Sequence, residues 1–125
     1  MIEIKIPFKT PTINHLYWHK GNMKIMKTEA KKLRQEIIQI CKEVPTGRLG
    51  RFEQENAGLK VIVEIYENWK CKDGSVKKKD VSNREKFLID SIFEGLDIDD
   101  KFIFEHTTIK RQSDKEYSII KIEKI

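Results

Sequence analysis

Residues 77–101 read KKKDVSNREKFLIDSIFEGLDIDDK: a basic run, an acidic residue, a capped helix and two adjacent aspartates. Ser82 followed by Glu85 has capping-box spacing, in which the hydroxyl accepts from the N–H three residues on and the glutamate reaches back to the cap's own N–H. The spacing predicts a helix that begins just after Ser82. At about 100° per residue, Leu88, Ile89, Ile92, Phe93 and Leu96 fall on one arc, the face expected to meet a sheet. Asn83, Lys86 and Asp90 share a flank beside that arc. Phe87 stands apart from it, and is expected either under a second element or against a partner subunit. Asp80, just before the cap, sits where unpaired N–H groups and the helix dipole favour an anion. Asp99 and Asp100 are read as entering the next strand, residues 102–109, so that a helix and the strand after it bring Asp80, Lys86 and Asp100 together. Carboxylates and lysine at this density point to phosphate chemistry.

Outward from this stretch the chain alternates strands and helices. Ile2, Ile4 and Ile6 alternate with Glu3 and Lys5, a short strand ended by Pro7. Residues 8–22 read as a long loop holding Asn14, His15, Tyr17, Trp18 and His19; loops of this length in a small domain are functional or disordered. Thr28 is a candidate cap for a helix in which Ala30, Leu33, Ile37, Ile40, Cys41 and Val44 recur at three- and four-residue steps. Its other face carries Lys27, Lys31, Lys32 and Arg34, read as solvated. Pro45, Gly47 and Gly50 break the chain into a polar loop up to Gly58. Leu59, Val61, Val63 and Ile65 then alternate with less apolar neighbours, the clearest strand and the expected central one. Lys70, Lys72, Lys77, Lys78 and Lys79 cluster around the turn-forming Asp73-Gly74 as a flexible basic loop next to the acidic site. Two closing strands, residues 102–109 and 117–125, complete the order strand, helix, strand, helix, strand, strand. That order indicates an α+β fold, a mixed β-sheet packed against two main helices, with residues 1–125 as a single domain.

Composition narrows the function. The chain has 125 residues, 36% of them charged, and a net charge of +5, in keeping with a polyanionic partner. Its two cysteines, Cys41 and Cys71, have no metal or redox spacing and are too few for a disulfide framework, which suggests a reducing cytoplasm. No signal peptide is read, and no apolar run nears the ~20 residues that a membrane span needs. His15, His19 and His106 have no zinc-ligand spacing. No nucleophile elbow or phosphate-cradling glycine loop is present, which argues against serine-type hydrolases and nucleotide-binding enzymes. Paired carboxylates offering only oxygen suit a hard cation, Mg²⁺ or Mn²⁺ in its place.

The run Asp80-Val81-Ser82-Asn83-Arg84-Glu85-Lys86, then Asp90, then Asp99-Asp100, resembles the active-site signature of the RusA family of Holliday junction resolvases. That family's form is Asp-x-Asp-Asn-x-x-Lys, an aspartate four residues after the lysine, and a downstream Asp-Asp pair. The resemblance extends to Ile6-Pro7, Pro11, Asn14, Tyr17 and the helix start at residues 28–34. It implies a Mg²⁺-dependent endonuclease that resolves four-way DNA junctions as a homodimer. Asp80, Lys86 and Asp100 would be catalytic, with Asp80, Asp99 and Asp100 as metal ligands. Asn14, Tyr17, Lys70, Lys72, Lys77, Lys78 and Lys79 would grip DNA, with Ser82, Asn83 and Asp90 in support. The family's second aspartate is Ser82 here, so one ligand is missing, and the Asp-Asp pair falls one residue early. Asp99 and Asp100 therefore stay open as alternatives, with Asp100 favoured. Loss of a ligand also leaves open a protein that binds branched DNA without cutting it.

Overall fold

Alternating apolar positions build the sheet, because successive side chains on a strand point to opposite faces. A computed structural model of the protein describes residues 1–11, 17–20, 23–79 and 82–125, with backbone alone for 17–20, 23–26 and 82–83. Its elements are β1 (Ile2–Ile6), β2 (Tyr17–Lys20), β3 (Met23–Met26), α1 (Thr28–Lys42), β4 (Leu59–Glu67), α2 (Ser82–Leu96), β5 (Ile103–Gln112) and β6 (Tyr117–Lys124). Four strands form a mixed sheet in the order β1-β6-β4-β5, with β4 and β5 parallel and the other pairs antiparallel. A parallel pair needs a crossover, and α2 lies in the chain between β4 and β5. β4 is hydrogen-bonded on both sides, so it is the central strand expected from its pattern.

Ile2, Ile4 and Ile6, Leu59, Val61, Val63 and Ile65, and Ile120 and Ile122 are buried in one cluster with Ile37 and Cys41 of α1 and Leu88, Ile92 and Phe93 of α2. Both helices therefore cover the same face of the sheet, and the fold is α+β. Phe87 is also buried in this cluster, 3% exposed, so its place is under the neighbouring elements of its own chain. The helices meet closely at Gly95. A Cβ there would stand 2.6 Å from Cys41 Cβ and 2.8 Å from the Ile38 carbonyl oxygen.

α2 stops through its backbone. Asp97 has φ of 57°, its N–H donates to the Glu94 carbonyl at 3.2 Å, and the Ile98 N–H donates to that of Phe93 at 3.0 Å. These bonds form a Schellman motif, sealed by the buried Ile98. The chain then makes a 3₁₀ turn, Asp100–Phe102, before β5 begins. Asp99 and Asp100 are thus in a turn rather than a strand, and alternation of strand faces does not separate them.

Other expectations change in detail. The first residues of α1 lack a side-chain cap: Lys27 occupies the cap position and Thr28 is already helical. α2 likewise starts at Ser82 rather than after it, and Glu85, the expected capping-box partner, accepts instead from the Thr108 hydroxyl on β5. Of the loop expected over residues 8–22, residues 17–20 are strand β2 instead, paired antiparallel with β3 so that Tyr17 faces Met26, and residues 12–16 and 21–22 lie outside the described residues. The polar loop after Pro45 hides Leu49 and Phe52 in the core. Among the described residues no helix is long and apolar enough to cross a membrane.

Candidate active site

The site grows from two helices and one turn. Lys86 is exposed on α2, and Asp90, half-buried, stands one turn further on. Arg34 reaches across from α1, its Nε 3.0 Å from Glu94 Oε2 on α2. Asp100 is exposed at the start of the turn before β5. Burial holds the Asp90 carboxyl above its usual range; the charges of Lys86 and Arg34 pull it back, and that of Asp100 adds a push upward. Asp90 therefore lies within the fields of two cations and one carboxylate. Among the described residues no direct ion pair joins Lys86 to Asp90, so the lysine stays exposed beside the carboxylate.

The neighbouring aspartates differ. Asp99 accepts a hydrogen bond from the Lys101 N–H at 2.9 Å, capping the turn, and lines a groove with Glu53, Glu94, Asp97 and Phe102. Asp100 is the one whose charge reaches Asp90. Asp80 and Asn14 lie outside the described residues; Ser82 and Asn83 open α2 as backbone, and Tyr17 opens β2 likewise. No group of three or more His, Cys, Asp or Glu able to hold a metal is found among the described residues. Asp90 and Asp100 supply two carboxylates, the charge of Asp100 reaching Asp90, and a donor set of carboxylate oxygens fits a hard divalent cation.

The basic segment is a hydrogen-bonded hairpin rather than a slack loop. The Cys71 N–H donates to Ser75 O at 2.7 Å, and that of Lys77 to Trp69 O at 2.8 Å. Lys70 bridges to Val76, and Asp73 accepts from the Ser75 N–H at 2.9 Å and from its hydroxyl at 2.6 Å. Gly74 supplies the positive φ, 87°, that the turn needs. Lys70, Lys72 and Lys78 are exposed and Lys77 is half-buried. Lys79 is engaged, its Nζ 3.0 Å from Glu67 Oε2.

Arg34 is the site residue that sequence reading passed over, as one of a solvated set. Its spacing held the signal: it lies four residues after Ala30 and three before Ile37, in line with the buried stripe of α1. A charge in an apolar stripe needs a partner, and here that partner is on α2.

A search of curated proteins finds no match to this chain. The family model described as Endodeoxyribonuclease RusA matches residues 7–123. That span contains both helices, the strands β2 to β5 and every residue of the acidic and basic cluster, and the chain belongs to the RusA endodeoxyribonuclease family.

Proposed function

We propose that this protein is a divalent-metal-dependent endonuclease that cuts four-way DNA junctions at paired positions. The observation that carries the reading is the match of residues 7–123 to the RusA endodeoxyribonuclease family, with the Asp90 carboxyl on α2 under the charges of Lys86, Arg34 and Asp100. Asp80 and Asp100 would hold the cation, Mg²⁺ or Mn²⁺, with Asp99, whose Oδ1 caps its turn, as the alternative ligand. When bound, such a cation polarises the phosphodiester and makes water acidic enough to serve as nucleophile near neutral pH. The chain's own residues do the rest. Lys86 is an exposed ammonium that neutralises charge gathering on the attacked phosphate. Asp90 lies one turn behind it, at the spacing from which a carboxylate can pair with the lysine when substrate is bound. Arg34 offers a second cation beside the same carboxylates. Lys70, Lys72, Lys77 and Lys78 hold backbone phosphates, which gives affinity with little sequence information. Asn14 and Tyr17 add polar contacts to the same backbone.

Two cuts related by the symmetry of a junction call for two equivalent sites, which a two-fold homodimer supplies. Such a substrate puts the protein with the DNA in the cytoplasm, working in recombination and repair. A labelled four-way junction, incubated with Mg²⁺ or with EDTA and run on native and denaturing gels, tests the reading. It expects cutting in Mg²⁺ and a shifted, uncut junction in EDTA.

Ser82 favours one rival, a protein that binds junctions without cutting. A serine hydroxyl is neutral where the family has a carboxylate, and is a weaker ligand for a hard cation. Ser82 is the first residue of α2, where an aspartate's charge suits the helix dipole, so Ser82→Asp is expected to change stability by less than ~1 kcal/mol. It is also expected to lower the Mg²⁺ concentration needed for cleavage. A well-folded Ser82→Asp that cuts no better at any Mg²⁺ concentration means that the ligand geometry here is not the family's.

A further inference from the structure

β5 runs for ten residues at one end of the sheet. β4 takes one of its edges, and among the described residues no strand pairs with the other. An edge of that length offers a row of unpaired N–H and C=O groups, which proteins avoid by keeping edge strands short or covered. Here every residue of the strand except Ile103, Thr108 and Ile109 is exposed. A bulge marks its start: Leu59 faces Ile103 and Lys60 faces Glu105, so Phe104 is the extra residue. Phe104 is 69% exposed and its ring lies against Gly58, where a Cβ would stand 2.4 Å from Phe104 Cγ. A regular ladder is therefore open from Glu105 to Gln112.

Antiparallel pairing of this strand with a second copy of itself has a fixed parity. Two residues directly opposite either turn their backbone polar groups toward each other or both turn them away, and along one strand these orientations alternate. The numbers of two facing residues therefore add to an even sum. The middle of the strand leaves registers centred on Thr107, Thr108 or Ile109. Centred on Thr108, Glu105 of each copy faces Arg111 of the other, which makes two ion pairs related by symmetry. Arg111 donates its Nε to Glu64 at 2.7 Å and is still 47% exposed. His106 comes opposite Lys110 in this register, with Glu85 Oε2 beside that pair, 3.5 Å from His106 Nε2. Centred on Thr107, Glu105 faces Ile109 and Arg111 faces Ile103; centred on Ile109, Glu105 faces Ser113 and Arg111 faces Thr107. Only the register at Thr108 sets a carboxylate against a cation, and opposite charges directly across a ladder attract.

Resting on the paired-cut reading above for its use, we propose that the free edge of β5 is the seam of a homodimer, pairing antiparallel with β5 of a second copy about a two-fold axis at Thr108. An axis that joins two edges in this way stands perpendicular to the sheet. Both copies therefore keep α1 and α2 on the same side of one continuous sheet, and Lys86 and Asp90 of both lie on the side that a single junction can cover. Phe104 stands at each end of the ladder, opposite Gln112 of the other copy.

The test needs neither DNA nor metal. Sedimentation equilibrium of the full chain is expected to show a dimer. Glu105→Arg, at an exposed position, turns two attractions into two repulsions and is expected to weaken the dimer about a hundredfold with thermal melting of the fold unchanged. Cysteine placement reads the register. In a Cys71→Ser background, where the remaining Cys41 is buried, Thr108→Cys is expected to form a disulfide between copies under mild oxidation, because residues that face across a ladder have Cα atoms about 4.5–5.5 Å apart. Thr107→Cys and Ile109→Cys do not face themselves in this register and are expected to cross-link far less. Should Thr108→Cys not fold, since the Thr108 hydroxyl donates to Glu85, the Glu105→Arg result decides. A chain that stays monomeric at every concentration overturns the proposal and leaves the edge to a strand of another protein. A dimer that Glu105→Arg does not weaken overturns it as well, and so does cross-linking at 107 or 109 in preference to 108. If the wild type dimerises along this seam and cuts no junction, the nuclease reading alone fails; if it cuts as a monomer, the seam alone fails.

Discussion

Single charged residues in this chain divide between holding the fold and holding the site, and their partners tell which. Asp99 Oδ1 accepts from the Lys101 N–H and caps the turn, and the charge of Asp100 reaches Asp90. Glu64 belongs wholly to the fold. It sits on the far face of β4, taking Lys121 Nζ at 2.8 Å and Arg111 Nε at 2.7 Å, beside the stacked rings of Tyr66 and Tyr117, 4.4 Å apart. The Lys121 hydrogen bond is the main force holding the Glu64 carboxyl below its ordinary 4.5, with Arg111 adding to it and burial opposing. A carboxyl lowered on folding adds stability that is full above 4.5 and is lost as pH falls through the lower, folded value. Glu64→Gln is therefore expected to cost about 1 kcal/mol near neutral pH, discounted because both cations are partly solvated. That difference should shrink as the pH is taken below 4.5. Urea unfolding across pH checks it; a gap that stays constant into acid would mean that the carboxylate's charge is not what stabilises the site.

Between elements, the tightest joint is the meeting of α1 and α2 at Gly95. Because a Cβ there would lie 2.6 Å from that of Cys41, Gly95→Ala is expected to destabilise by about 1–3 kcal/mol despite alanine's better helix propensity, and Gly95→Leu by more. Urea denaturation reads both, and the damage should extend to the site, since Arg34 meets α2 at Glu94 beside this joint. The elements themselves were legible from period alone. Two strong alternations gave β1 and β4, and the arc Leu88 to Leu96 gave α2. What period did not show is where charge enters it. Arg34, Glu67 and Arg84 all fall in register with buried apolar series, and only the packed structure pairs them across elements. The 3₁₀ turn at Asp100 was hidden for a different reason: it follows a Schellman stop built on Asp97 in a left-handed conformation, which glycine, not aspartate, usually signals. The hairpin β2–β3 escaped because strands of four residues are too short for alternation to declare itself.

At the scale of the whole molecule, the +5 net charge has a local source in the hairpin after β4, which carries exposed Lys70, Lys72 and Lys78. Replacing these three with glutamine is expected to weaken junction binding and to flatten its salt dependence by about one unit of slope for each phosphate that is no longer neutralised. Lys79→Gln should leave that slope unchanged, since its ammonium is held by Glu67. Competition titrations at several salt concentrations separate the two, and an unchanged slope in the triple variant would remove the hairpin from the DNA surface. The most direct test of the account follows both opposed strands of a labelled four-way junction in Mg²⁺, with wild type and with Asp100→Asn, each also assayed for binding. The account predicts paired cuts by the wild type and, from Asp100→Asn, loss of both cuts while the junction stays bound as tightly or more so. A variant that cuts like the wild type, or that loses binding and cutting together, would contradict it.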